Sequence, residues 1–200
     1  MKSLVIIPAR GGSKRLPGKN IKLLNGKPLI QYTIEYARKI FDDDIICMTT
    51  DSVEIKKVVE NIGLKVPFLR PKEFAKDSSS TDDVIRHTLK WYNKKNYKPE
   101  IIILLQPTSP FRKIEDIKKA LKKFSNEIDM VVSVKKGYKD KLEYNGSLYI
   151  INVNSIIKKN INQFTKVKKY VMHNPIFSID IDTDLDWKDA KNIISENKSL

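Results

Sequence analysis

Short apolar runs rich in β-branched residues alternate with amphipathic stretches along most of this 200-residue chain. Runs at 3–7, 45–49, 64–69, 100–105 and 130–134 have strand length. Between them, Pro28 can open a helix that carries Leu29, Ile30, Ile34, Ala37 and Ile40 on one side. A second helix is predicted over 53–61, where Gly63 ends it, and a third over 81–94. Ile114, Ile117, Leu121 and Phe124 keep helical spacing with lysines between them. This order predicts an α/β fold, doubly wound, with a mainly parallel sheet flanked by helices. In such folds ligands bind where loops leave the C-terminal ends of the strands. Beyond residue 134 the alternation weakens. Strands are expected over 144–153 and 176–181, a short helix over 155–159, and a last helix over 185–196 with Thr183 as its N-cap and Asp186 three positions on. There is no internal repeat or low-complexity linker, so one domain over 1–200 is expected.

Charge sets the next limit. Thirty-eight Lys and Arg against 24 Asp and Glu leave a formal +14, which alone would allow a nucleic acid, an anionic membrane or a phosphorylated substrate as partner. Only Arg10, Arg15, Arg38, Arg70, Arg86 and Arg112 are arginines; the excess is lysine on polar helix faces, a pattern of solvation. No motif for nucleic acid and no aromatic-basic ribbon is present, so no nucleic-acid partner is expected. The longest apolar stretches, such as Ile101 to Leu105, are strand-sized, and Pro8 and Arg10 arrive too early for a signal peptide. A cytoplasmic protein without a membrane partner is the expectation. Cys47 stands alone and His87 and His173 are the only histidines, which excludes an internal disulfide and an ordinary zinc site. A catalytic metal would need oxygen ligands. Both histidines read as structural or surface residues.

The segment after the first run carries the most chemistry. In Pro8-Ala9-Arg10-Gly11-Gly12-Ser13-Lys14-Arg15-Leu16-Pro17-Gly18-Lys19-Asn20, paired glycines allow backbone N–H groups to approach phosphate oxygens, and four cations lie in the same loop. The frame is not a P-loop, since Ser13 and Asn20 stand where Gly and Ser/Thr belong, nor a dinucleotide fingerprint. Asp180 and Asp182, two residues apart on a predicted strand, would share a face and could hold one hard cation such as Mg²⁺. Asp51 is either a further carboxylate near the metal or ribose, or the N-cap of the helix from Val53.

This opening loop resembles the first motif of the CMP-sialic acid synthetases, the acylneuraminate cytidylyltransferases. Three further blocks follow in that family's order: Leu69-Arg70-Pro71 with Asp77-Ser78-Ser79-Ser80-Thr81, then Leu105-Gln106-Pro107-Thr108-Ser109-Pro110-Phe111-Arg112, then Ser178-Ile179-Asp180-Ile181-Asp182-Thr183. Asn145-Gly146-Ser147-Leu148-Tyr149 is similar to the family's N-G-x-x-Y strand. The resemblance implies a nucleotide-diphospho-sugar transferase-like Rossmann fold and a Mg²⁺-dependent reaction. In that reaction the anomeric hydroxyl of a sialic-acid-like acidic sugar attacks the α-phosphorus of CTP and releases pyrophosphate. It implies that Ala9, Arg10, Gly12, Ser13, Lys19 and Asn20 bind the nucleotide, with Arg70 and Ser80 at the cytosine. Gln106 and Thr108 would line the sugar side, and Asp180 and Asp182 would hold Mg²⁺. Arg10, Lys19 and Asp182 would be the catalytic set.

Typical members of that family carry a longer insertion after the fifth run, an arm that reaches a second subunit and contributes cations to the sugar. Here only residues 135–144 stand in its place. The homodimer is thereby left as an open expectation, and Lys135, Lys136, Lys139 or Lys141 is expected to replace part of the acid-binding surface, unless the acceptor is smaller. Kdo or a phosphonate is the alternative acceptor. A nucleotide-sugar glycosyltransferase, which would release a nucleoside diphosphate or CMP, and a basic nucleic-acid-binding domain are the other classes the sequence leaves open.

Overall fold

A computed structural model describes residues 1–197. Six strands form one sheet in the order β4-β1-β5-β7-β6-β8. They are β1 (Ser3–Pro8), β4 (Ile46–Thr49), β5 (Ile101–Leu104), β6 (Met130–Lys136), β7 (Leu142–Asn152) and β8 (Val167–Val171). A separate two-stranded ribbon pairs β2 (Leu23–Leu24) with β3 (Lys27–Pro28) through an Asn25-Gly26 turn. β1 lies parallel to both β4 and β5, and β6 parallel to β8, whereas β7 runs antiparallel to β5 and β6. The doubly wound, mainly parallel sheet expected from the alternation is thus present, with one reversed strand.

Helices cover both faces, which is why the central strands are apolar without interruption. Val5 and Ile7 of β1 point toward Ile30 and Ile34 of α1 (Leu29–Arg38), Val59 of α2 (Val53–Asn61) and Ile117 of α4 (Ile114–Lys122). Leu4 and Ile6 point the other way, toward Ile85 and Leu89 of α3 (Thr81–Lys94) and Ile156 of the short α5 (Val153–Ile156). A third cluster joins Trp187, Ala190 and Ile194 of α6 (Asp184–Glu196) to Leu16, Leu29, Phe111 and Ile181. This last cluster brings the end of the chain against the loop that follows β1.

Two local expectations are corrected. Residues 64–69 form no strand; Leu64 and Val66 are buried, but only the Thr50–Leu69 bridge forms there. Pro67 removes a ladder donor from the middle of the run. Residues 176–181 are not a strand either. Asn174 accepts from the Ile176 amide at 3.0 Å and Pro175 opens a 3₁₀ turn over Pro175–Ser178. β8 has no counterpart among the expected strands because Lys168 and Lys169 break its apolar pattern; they lie on a sheet edge, where lysine discourages further pairing.

Candidate active site

Arg10, Lys14, Arg15 and Lys19 all leave the loop after β1, at the C-terminal edge of the sheet. The loop is pinned at both ends. Ala9 donates to the Thr49 carbonyl at 3.0 Å, and the buried Asn20 side chain donates to the Arg10 carbonyl at 3.1 Å. Between these points the Gly11 amide donates to Asp51 Oδ1 at 3.0 Å. A Cβ on Gly11 would stand 2.9 Å from that of Ser52, so the loop approaches the start of α2 as only glycine allows. Ser52, not Asp51, caps α2, accepting from the Ile55 amide at 3.2 Å. Asp51 therefore braces the glycine loop and is not the helix cap.

The cations pair with carboxylates on the opposite wall. Lys19 Nζ contacts Asp182 Oδ1 at 2.6 Å and the Ile181 carbonyl at 2.9 Å, while Arg15 contacts Asp182 Oδ2 at 2.5 Å. Arg10 and Lys14 pair with Asp77. Asp180 and Asp182 sit not on the expected strand but in the irregular segment between the 3₁₀ turn and α6, tied to the loop after β5 where the Ile181 amide donates to the Thr108 carbonyl at 2.7 Å. Burial, with the neighbouring Asp182 charge adding to it, pushes the Asp180 carboxyl above the usual range despite a hydrogen bond from Thr108. Behind this segment, buried Asn145 accepts from Ser133 Oγ at 2.6 Å and donates to Ser178 Oγ at 3.0 Å, which joins β6, β7 and the 3₁₀ turn before Asp180.

Two cavities open here. The first, about 340 Å³, is lined by Arg10, Lys19, Asn20, Arg70, Ser80 and Asp182 among others. The second, about 610 Å³, is lined by Lys135, Lys136, Tyr144, Tyr149 and His173 among others. Gln106 and Asp180 belong to both walls. Gly146 lies at the same junction with φ +72°, and a Cβ there would come within 3.3 Å of Gln106 Oε1.

Arg10, Lys19, Asn20, Arg70, Ser80, Gln106, Thr108, Asp180 and Asp182 are thus brought to one cavity. Thr108 faces that first cavity and does not line the second. Ala9 lies in the core and Gly12 lines a separate neighbouring hollow; neither borders the first cavity, nor does Ser13. Lys135 and Lys136 reach the second cavity, but Lys139 and Lys141 do not. Arg112 closes the Leu105–Arg112 block, and the sequence alone assigns it no role. It is fully buried and donates to the Gln106 carbonyl at 2.6 Å, to Thr33 Oγ1 at 2.8 Å and to the Ser147 carbonyl, so it shapes both sides of the junction.

Among the described residues no group of three His, Cys, Asp or Glu gathers to hold a metal, so Asp180 and Asp182 would supply two oxygen ligands and need the rest from substrate and water. A hard cation that keeps waters and binds phosphate fits this donor set. Also among them, no helix is long and apolar enough to cross a membrane.

A doubly wound sheet with a cationic glycine loop facing two carboxylates across a polar cavity has the chemistry of a protein that binds a phosphate-bearing nucleotide. Sequence comparison narrows the class. The profile of the cytidylyltransferase family matches residues 4–157. The CMP-N,N'-diacetyllegionaminic acid synthase of Legionella pneumophila is 33% identical over 228 residues, covering 99% of this chain and 98% of the relative. The pseudaminic acid cytidylyltransferase of Campylobacter jejuni is 40% identical over 126 residues, 62% of this chain and 53% of that one. An N-acylneuraminate cytidylyltransferase of Streptococcus agalactiae is 32% identical over 92% of this chain, which spans about half, 51%, of the relative. A CMP:2-keto-3-deoxy-manno-octonic acid synthetase solved with CTP shares the fold, with TM-score 0.74 and 16% identity over 98% of this chain and 99% of that one. The chain belongs to the cytidylyltransferase family and is a CTP-dependent nucleotidyltransferase.

Proposed function

We propose that the protein transfers CMP from CTP to the anomeric hydroxyl of a sialic-acid-like nonulosonic acid and releases pyrophosphate. The observation that carries this reading is the meeting of two cavities at Gln106 and Asp180. A nucleotide in the first and a sugar in the second would bring the α-phosphorus and the attacking hydroxyl together there, which removes much of the entropic barrier to reaction. The names of the relatives aligned above support an acid of this class, and the second cavity, at about 610 Å³, is roomy for a small phosphonate.

In this reading Arg70 and Ser80 contact the cytosine, and Arg10, Lys19 and Asn20 hold the phosphates. Lys19 and Arg10 stabilise the charge that grows on pyrophosphate as the bond from the α-phosphorus to the bridging oxygen breaks. The sugar oxygen forms the new bond to phosphorus and loses its proton to solvent water, while pyrophosphate leaves with the electron pair of the broken P–O bond. Gln106 orients the sugar, and Lys135 and Lys136 face its carboxylate. Asp180 and Asp182 would hold Mg²⁺, which when bound offsets repulsion between nucleophile and phosphates and polarises the phosphoryl group. The enzyme works in the cytoplasm without a nucleic-acid or membrane partner. Residues 1–200 act as one catalytic domain in which the reduced segment at 135–144 stands in place of a longer dimer arm.

A pyrophosphate-release assay with CTP, UTP, ATP and GTP against sialic, legionaminic and pseudaminic acids, Kdo and small phosphonates tests this. Release is expected with CTP and at least one nonulosonic acid. Release only with Kdo or a phosphonate would overturn the acceptor assignment while keeping the nucleotide one.

A further inference from the structure

Asp77 lies between the 3₁₀ turn at Lys72–Phe74 and α3, in a loop that faces the glycine loop across the first cavity. Its two oxygens are held by two cations of that opposite loop. Oδ1 accepts from Arg10 Nη1 at 2.6 Å and Oδ2 pairs with Lys14 Nζ at 2.5 Å. Arg10 and Asp77 are 67 positions apart in sequence, so this contact ties together two loops that the strands leave separate. A carboxylate gripped by two cations meets the same chemistry that a phosphate oxygen would meet there. Arg10, in the wall of the first cavity, and Lys14, beside that wall through Asp77, are therefore phosphate-seeking cations already engaged by the protein's own anion. These groups are partly to largely exposed, with side-chain exposures of 38%, 82% and 46% for Arg10, Lys14 and Asp77. Exposed pairs are screened and weak, so a triphosphate with more charge and more acceptor oxygens can replace this one. The Lys14 and Arg10 hydrogen bonds also hold the Asp77 carboxyl below the usual range, which keeps it anionic near neutrality.

We propose that Asp77 is a positioning residue that holds Arg10 and Lys14 across the nucleotide cavity before CTP binds and releases both to the triphosphate. The inference rests on the first cavity being the CTP site. It assigns Lys14 to the phosphates and makes nucleotide entry an exchange of one anion for another. Asp77 then opposes CTP affinity while keeping the two cations extended toward the place where phosphate arrives.

Calorimetric titration of the full chain with CTP and with cytidine, each with Mg²⁺, tests this on wild type, Asp77→Asn and Asp77→Ser. Both variants are expected to bind CTP about fivefold more tightly than wild type, because exposed pairs of this kind carry effects of that size. Cytidine, which has no phosphates to compete for the cations, should bind all three equally. Should CTP bind the variants no more tightly than wild type, or cytidine shift as much as CTP, the exchange is overturned and Asp77 merely braces its loop. Wild type that binds cytidine but no CTP would instead overturn the phosphate reading of the cavity, and the exchange with it.

Discussion

Arg70 is 4% exposed, yet its Nε and Nη1 have no hydrogen-bond partner, and its nearest carboxylate, Asp51, stands 3.9 Å away. Burial holds its pKa below the ordinary value, with Asp51 offsetting this only in part. A buried cation so poorly paired burdens the fold unless a ligand completes it. Arg70→Met is therefore expected to melt at or above the wild-type temperature while raising the KM for CTP about 10- to 100-fold, the loss of one or two charge-assisted hydrogen bonds. A large drop in melting temperature without a change in KM would contradict the role. Asp180 follows the same logic with opposite charge. A carboxyl whose folded pKa lies above its unfolded value favours folding while protonated, and that contribution is lost as pH rises through the folded value. At neutral pH, without a divalent cation, Asp180→Asn should thus melt above wild type, and the gain should shrink in acid as the wild-type carboxyl protonates. Scanning calorimetry with and without Mg²⁺ and CTP checks this; wild type should recover the difference when both are present.

At the scale of elements, α6 decides where Asp182 stands. Thr183 caps the helix and Asp186 closes the box, accepting from the Asp182 and Thr183 amides at 3.0 and 2.7 Å. Thr183→Ala should cost about 1 kcal/mol of stability, and it should also raise the KM for CTP because the cap lies one residue from the carboxylate that holds Lys19. Denaturant melts and steady-state kinetics on one preparation would separate the two effects. This cap was legible in the sequence because a Thr with an acid three positions on specifies its own geometry. Residues 64–69 were not, since their apolar pattern suits a strand and only Pro67 argues against it. β8 was hidden for the reverse reason: its pairing comes from β6, and its lysines advertise solvent.

At the scale of the molecule, the order of strands and helices could be read because both faces of the sheet are covered and the core strands are uniformly apolar. The cavity could be read as far as its motifs reached: Arg10 and Lys19 of one loop, Arg70 and Asp182 come from three distant segments and line one wall system. What the sequence concealed is how these groups are engaged. Nothing in the linear order says that Asp77 meets Arg10 and Lys14, that fully buried Arg112 sets the Gln106 loop, or that Asp51 supports Gly11 instead of capping α2. These contacts depend on loops converging from different strands, which local pattern does not encode. The 135–144 segment turns sharply between β6 and β7, with Lys139 and Asp140 at positive φ, and leaves Lys135 and Lys136 beside the second cavity. We propose that nucleotide and acceptor occupy separate cavities that meet at Gln106 and Asp180. Bisubstrate kinetics of pyrophosphate release for wild type, Arg70→Met and Tyr149→Ala tests this arrangement, since each variant alters one cavity alone. Arg70→Met should raise the KM for CTP and Tyr149→Ala the KM for the acidic sugar, each leaving the other KM within about twofold. If both variants shift the same KM, or if Tyr149→Ala acts only on CTP, the two-cavity account is wrong.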